Sequence, residues 1–135
     1  MEYDNINNVR LLLNSLIHLT KRPYEKLHVV FLYFRKKKII MKPIENIMDK
    51  LEEYLRDRTL ILVASIEDEE YEFSQILKDE IDRKVSDISK FLIDNKYTTL
   101  DYDSVLFQMN RRKHQHMNEW YEILEVDERK RVDFP

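Results

Sequence analysis

The chain has 135 residues, 36% of them charged, with 23 Lys and Arg against 26 Asp and Glu, so its net charge is only -3. A balance this close to neutral excludes a globally basic nucleic-acid binder and confines any such surface to a local patch. Glycine and cysteine are both absent, which removes glycine-dependent phosphate loops, dinucleotide fingerprints and nucleophile elbows, together with disulfides and thiolate metal sites.

Five helical segments are predicted in chain order. The first covers 5–19, where Val9, Leu12, Leu13, Leu16 and Ile17 recur at helix spacing. Residues 20–23 break it, and Pro23 suits the first turn of the next segment. That second segment, 24–40, carries Leu27, Val30, Phe31 and Phe34 on one stripe, although its centre is also good strand material. After Pro43 a long amphipathic helix is expected, with Ile47, Met48, Leu51, Tyr54, Leu55 and Leu62 inward and an end near Ser65.

The acidic run Glu67-Asp68-Glu69-Glu70 is expected at the start of a fourth helix, where the macrodipole favours negative charge. Phe73, Leu77, Ile81, Val85, Ile88 and Leu92 form that helix's stripe. Residues 95–99 read as a loop, with Asp101 or Asp103 as N-cap of a fifth helix reaching about Val126. Its inward set is Leu106, Met109, Met117, Trp120 and Leu124, and the charged tail 127–135 is expected to fray or to wait for a partner. Amphipathic helices joined by short connections predict an all-α fold, an antiparallel bundle of about five helices. The whole chain, 1–135, reads as one helical domain, with a separate helical hairpin at 1–42 as the alternative. Its longest apolar runs fall well short of the ~20 residues that span a bilayer, and the acidic start is unlike a secretory signal. No membrane association and an intracellular, cytoplasmic setting are therefore expected.

Chemistry-bearing residues cluster in three places. Arg35, Lys36, Lys37, Lys38 and Lys42 follow Tyr33 and Phe34, a combination suited to phosphates and unpaired bases. Cations also sit well at a helix C-terminus, which is the plain structural reading. Glu67, Asp68, Glu69, Glu70 and Glu72 offer oxygen ligands, but neither the alternating ligands nor the central glycine of a calcium loop is present, and no metal or cofactor is expected. Such a surface could instead mimic nucleic acid and occupy a basic partner. The half-site Glu25-x-x-His28 has no second copy, as a di-iron bundle requires, and His18 has no partner in sequence.

The third place is Asn110-Arg111-Arg112-Lys113-His114-Gln115-His116. An arginine, four intervening residues and a histidine on a late helix resemble the motif of HEPN-domain ribonucleases, small α-helical proteins. The resemblance implies metal-independent RNA cleavage across a dimer interface, with His116 as acid or base and Arg111 steadying the phosphate. The sequence departs from the pattern in carrying Arg112 after Arg111, and positions five apart diverge by about 140° on a straight helix. Arg112 and His116, four apart, share a face better. More loosely, Leu51-Glu52-Glu53-Tyr54-Leu55-Arg56-Asp57-Arg58, Ile61 to Ser65 and the acidic run beyond them are similar to the helical domain of GINS replication subunits, an assembly scaffold.

With no complete catalytic set, the sequence favours a small non-enzymatic interaction module that docks to a larger protein or nucleic-acid assembly. Arg35, Lys36, Lys37, Lys38, Lys42, Arg111, Arg112 and Lys113 would form its contact surface. The ribonuclease using Arg111 and His116 and the acidic protein inhibitor are the alternatives. Exposed Tyr and Phe on the second segment would favour a homodimer.

Overall fold

The computed structural model describes residues 9–11, 13–14, 26–40 and 47–131, for 36–40 and 47 in backbone only. Helices are the only regular elements among them: α1 (Lys26–Ile40), α2 (Ile47–Glu67), α3 (Tyr71–Asp94), α4 (Tyr102–Ile123) and the short α5 (Glu128–Arg131). Residues 9–11 and 13–14 are also helical and bury Val9 and Leu13. Helix α2 is the centre of the bundle, packing against α1, α3, α4 and α5, and α3 also packs against α4.

Cross-helix contacts give the directions. Ser65 and Ser74 hydroxyls lie 2.6 Å apart across the α2–α3 turn, and Lys84 sits 5.6 Å from the Tyr54 ring further along. The two pairings move oppositely in number, so α2 and α3 are antiparallel. Glu52 meets His116 while the Trp120 indole donates to the Arg56 carbonyl at 3.0 Å, so α2 and α4 run the same way. An all-α, up-and-down bundle is the result, and no helix among the described residues is long and apolar enough to cross a membrane.

Each of the three long helix ends closes alike. Glu69, Lys96 and Glu125 adopt φ of 59°, 59° and 55°, and each is followed by a residue whose N–H reaches back across the last turn. These bonds are Glu70 to Ser65 O, Tyr97 to Leu92 O and Val126 to Tyr121 O, all at 2.9 Å. Those are Schellman motifs, which satisfy carbonyls the helix leaves open and normally place glycine at the left-handed residue. Having none, the chain uses Glu, Lys and Glu.

The first of these motifs revises the expected role of the acidic run. Glu67 closes α2 and residues 68–70 form the turn; Glu70 is the N-cap of α3 and Glu72 stands in its first turn, so only the end of the run lies at that helix start as expected. Asp68 instead caps α1: its two carboxylate oxygens accept the Lys26 and Leu27 N–H groups, both at 3.0 Å. Two orphan donors of α1 are thus satisfied from the α2–α3 turn. At α4, Asp101 is the N-cap, accepting the Ser104 N–H at 2.8 Å, and this holds its carboxyl below the usual range.

The stripes need local revision. Helix α1 is helical throughout and buries Val29, Val30 and Tyr33, leaving Phe31 exposed and Leu27 and Phe34 only partly covered. Apolar side chains surround positions 29–34, so periodicity alone selects no face there. On α3 the buried set is Ser74, Leu77, Ile81, Val85, Ser89 and Leu92, with Phe73 exposed and Ile88 partly covered. Ser74 takes the inward place because its hydroxyl finds Ser65 and the Glu70 carbonyl. The tail does not fray at 127–131. Lys130 donates to the Glu67 carbonyl at 2.9 Å, and the Arg131 guanidinium donates to the Val126 and Tyr121 carbonyls and lies 5.3 Å from the Tyr121 ring. Cations there bond the carbonyl ends of α2 and α4.

Candidate functional site: the basic segment of α4

Helix α4 buries Val105, Met109, Lys113, Met117, Trp120 and Tyr121, and its polar residues divide according to their angle from that stripe. At about 100° per residue, Arg111, Arg112 and Lys113 cannot share an environment. Lys113, expected at the contact surface, is instead in the core stripe, four residues from both Met109 and Met117. Its side chain is 8% exposed and its ammonium lies 2.7 Å from Asp82 of α3. The lysine stem packs with the apolar stripe while its head is neutralised, so Lys113 is not available to a partner.

Arg112 faces α2. Its Nη1 is bonded to Glu52 Oε1, and the other carboxylate oxygen of Glu52 lies 3.0 Å from His116 Nε2. Burial pushes the Glu52 carboxyl up, but the hydrogen bonds and charges of His116 and Arg112 outweigh this and hold it below its ordinary range. Since an ionised carboxylate only accepts, the proton of this pairing is assigned to His116 Nε2. His116 Nδ1 is buried and has no hydrogen-bond partner, and the side chain as a whole is 13% exposed. A histidine held by a carboxylate beside a guanidinium has the parts of an acid–base site, yet its remaining nitrogen faces the interior. Chemically, the cluster clamps α4 to α2.

Arg111 lies outside this cluster. It is exposed, and no ion pair joins it to another of the described residues. The structure therefore brings His116 together with Arg112, and not with Arg111. His114, exposed beside α3, has its imidazole pKa lowered by partial burial and by Lys113 and Lys78, against the opposing pull of Asp82.

The first basic strip is described only in part. Arg35 is exposed on α1. Positions 36–38 belong to the same helix, but the side chains of Lys36, Lys37 and Lys38, and the whole of Lys42, lie outside the described residues, as do His18 and Glu25. His28 is exposed. In the acidic run, Asp68 serves α1 and Glu67 lies beside Lys130, leaving Glu69, Glu70 and Glu72 exposed. Among the described residues no group of three or more His, Asp and Glu could hold a metal ion.

Sequence reasoning missed three residues at this site. Glu52 and Asp82 are far from their partners in sequence. Phe107 falls outside the apolar stripe, yet stands one turn before Arg111 and is 68% exposed. No protein-family model matches the chain, and neither a curated protein nor a solved structure matches it.

Proposed function

We propose that the protein is a non-enzymatic helical interaction module working inside the cell, which docks to a larger protein or nucleic-acid assembly through the outward ridge of α4. The observation that carries this reading is the exposed Arg111, without an ion-pair partner among the described residues, within a stretch that has no acid. Residues 104–118 contain Arg111, Arg112 and Lys113 and no Asp or Glu, although 26 of the 135 residues are acidic. Two of the three cations are spent on Asp82 and Glu52, and the third is left to solvent. A guanidinium presented to solvent from a helix suits contact with a phosphate or a carboxylate.

The test is a native gel of the purified protein against labelled single- and double-stranded RNA and DNA across a salt series, with Arg111→Glu alongside. A shift that weakens with salt and disappears in the variant is expected. Undiminished binding by Arg111→Glu would sink the assignment of the ridge. No shift with any nucleic acid would leave a protein as the object of docking. RNA shortened in chelator, and spared by His116→Ala, would replace this reading with the ribonuclease, for which the burial of His116 Nδ1 is the structural obstacle.

A further inference from the structure

We infer that the ridge of α4 binds single-stranded nucleic acid, with Phe107 stacking on an unpaired base and Arg111 contacting a backbone phosphate. The inference rests on the reading of this ridge as the docking face and names its ligand.

Phe107 and Arg111 are four residues apart on one continuous helix, hence about 40° apart around the axis and about 6 Å along it. Both point away from the stripe of Met109, Met117 and Trp120 that α4 buries. A single exposed phenyl on a protein surface needs no explanation. This one is 68% exposed in the second turn of α4, and phenylalanine is not a favoured helix former. It lacks a packing role, and it shares its ridge with an exposed guanidinium.

The surroundings narrow the ligand. Gln108, His114, Gln115 and Asn118 are exposed on the same helix, supplying donors and acceptors without negative charge. The nearest acids in sequence stand at either end of the stretch: Asp103, exposed one turn before Phe107, and Glu119, eight residues beyond Arg111. An anionic ligand with flat apolar faces and polar edges complements such a strip, and that describes a nucleic acid. Stacking on Phe107 needs a base face that is not already covered by its neighbours, as in a single strand. In a duplex the faces are stacked inside and only edges and phosphates are presented.

Fluorescence anisotropy with the full chain tests this, using labelled oligo(dT) and oligo(U) of about 20 nucleotides and a mixed-sequence DNA duplex of equal length. The single strands should bind more tightly than the duplex. Phe107→Ala should weaken single-strand binding about tenfold and leave duplex binding unchanged. Phe107→Trp should restore it, with quenching of the new indole on titration. Unchanged thermal melting of both variants would establish that folding is intact. Equal or tighter duplex binding, indifferent to Phe107→Ala but abolished by Arg111→Glu, would overturn the inference and leave the docking face standing. Failure of every oligonucleotide to bind would overturn the inference and leave a protein as the object of docking, whereas binding indifferent to Arg111→Glu would overturn both.

Discussion

Replacing Lys96 by glycine should make this protein more stable. Lys96 occupies the left-handed position of the Schellman motif that ends α3, with φ of 59°. Its own N–H is bonded to Ile93 O at 3.1 Å, and the next residue's N–H to Leu92 O at 2.9 Å. The side chain is exposed, so the substitution removes little besides Cβ. A β-carbon in this conformation crowds the neighbouring carbonyl, at about 1–2 kcal/mol. Glycine avoids the crowding but gives the unfolded chain more freedom, which takes back about 0.5–1 kcal/mol. The difference is a gain of about 0.5–1 kcal/mol. For a domain of this size that corresponds to a rise in Tm of about 2–4 °C.

Circular dichroism melts of the wild type, Lys96→Gly and Lys96→Ala would check the reasoning. Alanine keeps Cβ and with it the crowding, so its Tm should stay within about 1 °C of wild type. Equivalent substitutions at Glu69 and Glu125 extend the test. Glu125→Gly should match Lys96→Gly, and Glu69→Gly should gain less because Glu69 lies 4.0 Å from Lys130. Lys96 lies at the opposite end of the bundle from Glu69 and Glu125, so its gain should add to either of theirs. A Tm for Lys96→Gly equal to or below wild type, or a rise of the same size in Lys96→Ala, would refute the argument.

Two further perturbations probe the contacts between helices. Asp68→Ala removes the acceptor of the Lys26 and Leu27 N–H groups and should cost about 1–2 kcal/mol in urea denaturation, with faster proteolysis of the 26–40 segment in the variant; equal stability and protection would mean that the cap is idle. Glu52 has a lower pKa folded than unfolded, so its contribution is present above the ordinary carboxyl pKa and is lost as pH falls through the folded value. Urea midpoints between about pH 5 and pH 3 should therefore fall less steeply in Glu52→Gln than in wild type, and parallel curves would count against the clamp.

Much of the helical plan could be read along the chain, because it depends on neighbours within one turn. Met109, Met117, Trp120 and Leu124 recur at helix spacing and are buried, and the Asp101 cap lies just before its helix. The spacing of Met109, Lys113 and Met117 also carried a signal that charge obscured, since Lys113 completes the stripe. What could not be read was which distant group makes each polar residue acceptable. His116 meets Glu52 across 64 positions, Lys113 meets Asp82 across 31, and Lys26 is capped by Asp68 across 42. None of these pairs is visible to a pattern that extends one or two turns. The buried face of α1 was illegible for a different reason. Its apolar residues run all round, so the buried face is set by the surface α2 offers.

The same long-range pairs fix how strongly the ridge of α4 can hold a phosphate chain. Read along the sequence, Arg111, Arg112 and Lys113 are three adjacent cations, and three phosphates neutralised together would give a slope of log affinity against log salt near -2 on a single strand, at about -0.7 each. In the fold Lys113 is buried on Asp82, and Arg112, with a side chain 44% exposed, shares Glu52. Between one and two phosphate contacts remain, and the slope should lie between about -0.7 and -1.4. With so shallow a slope, electrostatics would supply little affinity, and the proposed binding requires an uncharged contribution from the ridge. Phe107 is the large exposed apolar residue positioned to give it. The salt series and the Phe107 variant therefore read the same balance from two sides. A slope of about -3 or steeper, together with indifference to Phe107→Ala, would move the weight of binding off α4 and toward Arg35 and the basic run that follows it.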